Sequence, residues 1–305
     1  MHSFSDEMVA PANGLELAYQ EMGEPDGEPL LLVMGLGTQM IAWDEGFCGL
    51  LAERGFRVVR FDNRDIGRST KIASAGVPGR ADLMLGRAGS AAFLLPDMAA
   101  DTIGLMDHLG IESAHIVGVS MGGMIAQTLA IGHPRRLRSL GSIMSNTGSR
   151  WTGMPSRKAM AVLLGRPPRG REAAIERAVK TFRVIGSPGY PFDEERVRQI
   201  SARSYDRGHS AAGVLRQLHA ITASGDRTQA LRGVRVPTTV IHGKRDPLVR
   251  PAGGRATARA IPGARLKLID GMGHDLPRQL WPVFVEEIAA NAARAAASAP
   301  AKQPA

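Results

Sequence analysis

Gly118-Val119-Ser120-Met121-Gly122 is the segment on which the reading of this chain turns. It has the form G-x-S-x-G. It completes an apolar run, 114–119, that reads as a buried strand, and it opens a stretch of small and apolar residues, 121–132, that reads as a helix packed on a sheet. A serine between the two sits on a tight strand-to-helix turn that lifts its hydroxyl above the sheet edge. Glycine at 118, 122 and 123 removes the Cβ atoms that so sharp a turn would bring into collision. The start of the helix at Met121 sets free N–H groups and the positive end of the helix dipole beside that hydroxyl.

Outward from the turn, strand-like and helix-like stretches alternate. On the N-terminal side, strands are expected over 15–22, 30–34 and 57–61, and helices over 47–54 and 96–109. Leu30-Leu31-Leu32-Val33-Met34 is apolar throughout, as suits a strand covered on both faces of a parallel sheet. On the C-terminal side, a strand over 137–144 is followed by a change of pattern. Residues 147–230 show no buried strand, only amphipathic helices over 172–185, 193–205 and 210–224. The last of these carries Val214, Leu215, Leu218 and Thr222 on one side. The alternation then resumes, with strands at 238–241 and 266–269 and helices over 251–260 and 281–294. The expected fold is α/β, a mostly parallel sheet flanked by helices. Its first part falls in residues 1–146 and its second in 231–294, with an inserted helical cap at 147–230. Residues 295–305, rich in Ala, Pro and Ser, read as a disordered tail.

In such a sheet, ligands bind outside the carboxyl ends of the strands. Partners for Ser120 are therefore sought at that edge. A serine hydroxyl needs a base to become a nucleophile. Of eight histidines, His274 lies in the loop after the final strand, in Asp270-Gly271-Met272-Gly273-His274. His242, at the end of an earlier strand, and His219, on a cap helix, read as packing residues. The base needs a carboxylate to hold its tautomer and stabilise the imidazolium. Asp246, in Gly243-Lys244-Arg245-Asp246-Pro247, follows a strand at the same edge and precedes His274, giving the chain order Ser, Asp, His. Asp270 and Asp275 read as solvated loop carboxylates, and Asn146, which ends the strand before the cap, cannot ionise. Two backbone donors for an oxyanion are expected from Met121, directly after the serine, and from Leu36, in the loop Gly35-Leu36-Gly37. That loop lacks the Lys-Ser/Thr ending of a phosphate cradle.

The composition excludes several classes. The chain has 305 residues, 44% hydrophobic and 22% charged, which rules out a mostly disordered or collagen-like chain. Cys48 is the single cysteine, so no disulfide forms within the chain. No run approaches the ~18 apolar residues of a membrane span. The opening residues, with Asp6 and Glu7, lack the basic and apolar regions of a secretion signal. A cytoplasmic protein without stable membrane association is expected. The net charge of +9 is concentrated in the cap, where 15 Lys and Arg face 7 Asp and Glu. No nucleic-acid recognition motif accompanies it, so no nucleic-acid partner is expected. Its functional reading is attraction for an anionic substrate. Met154, Met160, Leu163, Leu164, Phe182, Ile185, Tyr190, Phe192 and Tyr205 are candidates to line an apolar pocket.

Taken in order, these segments resemble a known family. Leu32-Val33-Met34-Gly35, Phe61-Asp62-Asn63-Arg64-Asp65-Ile66-Gly67-Arg68-Ser69, and the segments 118–122, 243–247 and 271–274 follow one another as in the α/β-hydrolase superfamily. The resemblance spans nearly the whole chain outside the tail. Within that superfamily the chain is similar to aclacinomycin methylesterase-like serine hydrolases, through Val-Met-Gly at 33–35 and Arg-Asp-Ile-Gly-Arg-Ser at 64–69. The resemblance implies an eight-stranded, mostly parallel sheet. It also implies a Ser120–Asp246–His274 triad, no metal or organic cofactor, and a small-molecule ester substrate. The expected reaction is carboxylic-ester hydrolysis through an acyl-enzyme. Lactone opening, C–C bond hydrolysis and perhydrolysis run on the same triad, and a small-molecule-binding protein on this fold is the non-enzymatic alternative. Met34 stands where many relatives carry His, which removes a polar contact near the Leu36 loop. Residues 62–69 are expected to form a structural loop whose charges pair internally.

Overall fold

A computed structural model describes residues 3–163, 165 and 168–298 of the chain. Its strands are β1 (Met8–Ala12), β2 (Leu15–Met22), β3 (Glu28–Val33), β4 (Phe56–Phe61), β5 (Ala114–Val119), β6 (Leu137–Ile143), β7 (Thr238–Gly243) and β8 (Arg265–Ile269). They form one sheet in the order β1-β2-β4-β3-β5-β6-β7-β8. β2 runs antiparallel to both β1 and β4, and every other pair is parallel. The helices are α1 (Glu45–Ala52), α2 (Arg80–Leu85), α3 (Leu95–His108), α4 (Met121–Gly132), α5 (Arg157–Leu163), α6 (Arg171–Ile185), α7 (Glu194–Arg207), α8 (Ala211–Ala223), α9 (Thr228–Leu231), α10 (Pro251–Ala260) and α11 (Trp281–Ser298). No helix among the described residues is long and apolar enough to cross a membrane.

The apolar run of β3 shows why the sheet is covered on both sides. Side chains alternate along a strand. Leu31 and Val33 enter a core built with α3 and α4, whereas Leu30 and Leu32 enter a second core with Phe47 of α1 and Phe284 of α11. All four are fully buried, each contributing about 1.5–3 kcal/mol by leaving water.

Two elements carry no sequence signal, and one expectation is corrected. β1 has no apolar alternation and contains Pro11, which argues against a strand. It forms because it is the sheet edge, where the N–H that proline lacks is not required. The short helix α2, which buries no residue, has no apolar stripe to announce it. α11 continues to Ser298, so the first part of the expected tail is helical, and 299–305 lie outside the described residues.

The cap, α5 to α8, is inserted between β6 and β7. Its exit is tied to its entrance: Arg227 N–H donates to the Thr147 carbonyl at 2.8 Å, and its guanidinium donates to the Asn146 carbonyl at 3.1 Å. α8 docks differently from the expectation. Its buried residues are Gly213, Arg216, Gln217, His219 and Ala220, while Val214, Leu215 and Leu218 are only partly covered. The polar face turns inward because it has partners there. Arg216 makes a bidentate pair with Asp65, both contacts at 2.8 Å, and both side chains are buried. Arg207, the last residue of α7, pairs with Asp62 at 2.9 Å. The third charge of the 62–69 loop, Arg64, pairs with Asp101 of α3 at 2.5 Å. The loop's charges therefore do not pair among themselves. Three of them fasten it to the cap and to α3, and the fourth, Arg68, reaches Glu7 at 3.4 Å.

Candidate active site

β3 is flanked by β4 and β5, so the chain leaves it in one direction and returns on its other side. Such a reversal opens a crevice at the carboxyl ends of the strands. The Leu36 loop leaves β3 there, and Ser120 leaves β5 one strand away.

Ser120 has φ 54° and ψ −119°, a left-handed conformation that costs a non-glycine residue about 1–3 kcal/mol. Its surroundings impose this geometry. A Cβ on Gly118 would collide with the Gly122 carbonyl, and one on Gly122 with the Val33 carbonyl. A Cβ on Gly123 would stand 2.6 Å from the Cβ of Ser145. Ser120 N–H donates to the Ile143 carbonyl at 2.9 Å, which ties the turn to β6. The Ser120 side chain is half-buried, and no hydrogen bond joins its hydroxyl to His274. Serine–base contacts are commonly long in unliganded sites.

The structure brings Asp246 and His274 together. His274 Nδ1 lies 2.7 Å from Asp246 Oδ2, with both side chains buried. The other carboxylate oxygen accepts the N–H groups of Leu248 and Val249, each at 2.9 Å. Burial raises the Asp246 pKa. The His274 charge and hydrogen bonds from His242 and His274 outweigh it and hold the carboxyl at about 2. His242 is a structural support, as the sequence suggests. Its Nε2 lies 2.7 Å from the Val249 carbonyl and 3.5 Å from Asp246 Oδ2, bracing the Asp246 loop. His219 is also structural, with its Nε2 3.1 Å from the Arg87 carbonyl.

The N–H groups of Leu36 and Met121 have no acceptor among the described residues. The glycine loop lies directly on the serine: a Cβ on Gly35 would stand 3.3 Å from Ser120 Cβ. Two side chains that sequence reasoning missed hold this loop. Asn63 donates to the Met34 carbonyl at 3.0 Å. Gln217 of the cap accepts from Gly37 N–H at 2.9 Å and donates to the Arg64 carbonyl at 2.8 Å, and it is completely buried. No sequence signal marks Gln217, because the apolar periodicity of α8 points to the opposite side of the helix.

Two carboxylates beside His274 differ. Asp270 is solvated as expected, and Lys244 reaches it at 2.9 Å. Asp275 is not. It is half-buried, accepts the Ser187 hydroxyl, and burial pushes its carboxyl above the usual range. Burial also pushes the Cys48 thiol up to about 12, so it offers no thiolate near neutral pH. No cluster of three His, Cys, Asp or Glu side chains among the described residues is arranged to hold a metal ion. Of the expected pocket residues, Met154 and Phe192 are exposed, and Leu164 lies outside the described residues.

A family model described as alpha/beta hydrolase fold matches residues 28–277. The chain belongs to that family. It is 28% identical to rhodomycin D methylesterase of Streptomyces sp. (strain C5), covering 88% of this chain and 92% of that one. It is 26% identical to 3-oxoadipate enol-lactonase 2 of Acinetobacter baylyi, covering 88% and 89%. The solved 2-hydroxy-6-oxo-6-phenylhexa-2,4-dienoate hydrolase of Rhodococcus sp. strain RHA1 superposes with a TM-score of 0.74 at 19% identity, covering 94% and 99%. The last likeness shows the fold. The protein is thus an α/β hydrolase related to methylesterases.

Proposed function

We propose that the protein hydrolyses a small carboxylic ester, most simply a methyl ester, with Ser120 as nucleophile, His274 as base and Asp246 as its orienting carboxylate. The observation that carries this reading is the buried Asp246–His274 pair, at 2.7 Å, on the same sheet edge as the strained turn of Ser120. Ser120 Oγ attacks the ester carbonyl carbon as its proton passes to His274 Nε2. The oxyanion forms against the N–H groups of Leu36 and Met121. His274 returns the proton to the departing alcohol, leaving the acyl-enzyme. Water, deprotonated by His274, then attacks the acyl carbon, and Ser120 leaves with the proton. The likeness to rhodomycin D methylesterase supports the ester.

The likeness to 3-oxoadipate enol-lactonase favours a second reading, the opening of a lactone, which is an internal ester cleaved by the same steps. The core reduces the positive charge of the cap without cancelling it: Arg196, Arg207 and Arg216 pair with Asp44, Asp62 and Asp65 at 2.8–2.9 Å, and the remaining excess of Lys and Arg suits an anionic substrate.

The test is release of nitrophenol and of methanol from aryl and methyl esters of increasing acyl size, for wild type and Ser120→Ala. Loss of turnover in the variant is expected. Equal turnover in a folded Ser120→Ala protein overturns the proposal.

A further inference from the structure

We infer that the cap positions His274 through Ser187, so that the general base is aligned from outside the sheet that carries it. One cap segment, residues 185–190 at the end of α6 and in the turn towards α7, lies along residues 270–275. The Ile185 carbonyl accepts the N–H of His274 at 2.7 Å. Ser187 Oγ accepts the N–H of Gly273 at 2.8 Å and donates its own proton to Asp275 Oδ1. Gly189 N–H donates to the Gly271 carbonyl at 3.0 Å, and the Tyr190 hydroxyl donates to the Asp270 carbonyl at 3.1 Å. The backbones approach so closely that a Cβ on Gly273 would collide with the Gly186 carbonyl oxygen. That contact explains the glycine immediately before the histidine.

Asp246 fixes the His274 ring, but the peptide from which the ring hangs is held by the cap. Both N–H groups at 273 and 274 go to cap oxygens, and Ser187 grips the residue on either side of His274. Ser187 is buried, so water does not readily replace its hydroxyl. The charged groups facing Asp275 are His274 and Asp246. Without the Ser187 hydroxyl, the Gly273 N–H and the Asp275 carboxylate lose the partner that joins them, and the His274 peptide between them is less firmly held. Ser187 is a positioning residue, because it acts through His274.

The inference rests on His274 being the base of the proposed hydrolysis. Four variants of the full chain test it: Ser187→Ala, Ser187→Thr, Tyr190→Phe and, as reference, Ser120→Ala. Each is assayed for nitrophenyl-ester kinetics across pH, for labelling by a fluorophosphonate, and for Tm. A base displaced by about 1 Å costs on the order of a hundredfold. Ser187→Ala is accordingly expected to lower kcat and the labelling rate by about ten- to a hundredfold with KM little changed. Ser187→Thr restores most of the rate, since it returns the hydroxyl. Tyr190→Phe, which cuts a bond of the same contact away from the histidine, stays near wild type. Ser187→Ala with wild-type kcat and labelling rate overturns this inference alone. So does a Tyr190→Phe loss equal to that of Ser187→Ala. A wild type without Ser120-dependent turnover or labelling overturns the triad reading, and this inference with it.

Discussion

Replacing Gln217 by Met separates what the cap contributes to stability from what it contributes to the site. Methionine matches glutamine in length and fills the same volume, so no cavity opens. What disappears is a pair of hydrogen bonds, 2.9 Å from Gly37 N–H and 2.8 Å to the Arg64 carbonyl. A buried polar group left unpaired costs about 1–3 kcal/mol. The Arg64 carbonyl is enclosed and carries that cost in full, while half-buried Gly37 recovers part of its loss from water. The sum is about 2–4 kcal/mol of stability. Activity falls separately. Gly37 adjoins Leu36, whose N–H faces the proposed oxyanion, and complete loss of such a donor costs about 10²–10³ in kcat. Gln217→Met leaves the donor present on a loosened loop, so kcat is expected to drop about tenfold with KM nearly constant. Urea unfolding followed by the fluorescence of buried Trp43 and Trp281, beside ester kinetics, measures both. Gln217→Glu sharpens the test: it still accepts from Gly37, but its buried carboxylate meets the Arg64 carbonyl with no donor between them. An unpaired charge out of water costs more than an apolar side chain, so its stability should fall below that of Gln217→Met, with kcat still low. A Gln217→Met protein within about 0.5 kcal/mol and twofold in kcat of wild type would refute the reasoning, since such a result means that neither partner needs the amide.

Arg216→Met strands the buried Asp65 carboxylate opposite it, and unfolding in urea should show a loss of about 3–5 kcal/mol that Asp65→Asn in the same chain partly recovers; additive losses refute the pairing. His115 carries a pH prediction. Burial, helped by the Arg138 charge and opposed by Glu28, lowers its imidazole from 6.5 to about 4. The unfolded chain takes up this proton near pH 6.5 and the folded chain only near 4. The His115 contribution is therefore complete above pH 6.5 and is lost as pH falls towards 4, by on the order of 3 kcal/mol. Measured against His115→Asn, the stability advantage of wild type should shrink over that interval; a difference that is flat with pH rules out a buried neutral imidazole.

Much of this molecule is legible in one dimension because the relevant signals are local. Apolar continuity in Leu30–Leu32 announces a strand covered on both faces, and β3 is one. The glycines around Ser120 announce a turn without room for Cβ atoms, and the backbone there has φ 54°. The position of Asp246 and His274 after successive parallel strands places them at one edge, where they meet. β1 is not legible. Its only qualification is a place at the sheet edge, and no residue within it reports its neighbours.

The inward face of α8 marks the other limit. Periodicity turns Val214 and Leu218 towards the core, whereas the fold buries Arg216 and Gln217. A charge enters the interior only where a partner answers it, and Asp65 stands 151 residues away along the chain. The same holds for Ser187, which grips the His274 loop across 88 residues to Asp275. The sequence by itself determines which elements form and which residue types stand at the carboxyl edge of the sheet. Local sterics and the burial of apolar side chains settle those within a few residues. Only the tertiary structure decides which polar groups are taken out of water, because that choice depends on partners brought together by the whole fold.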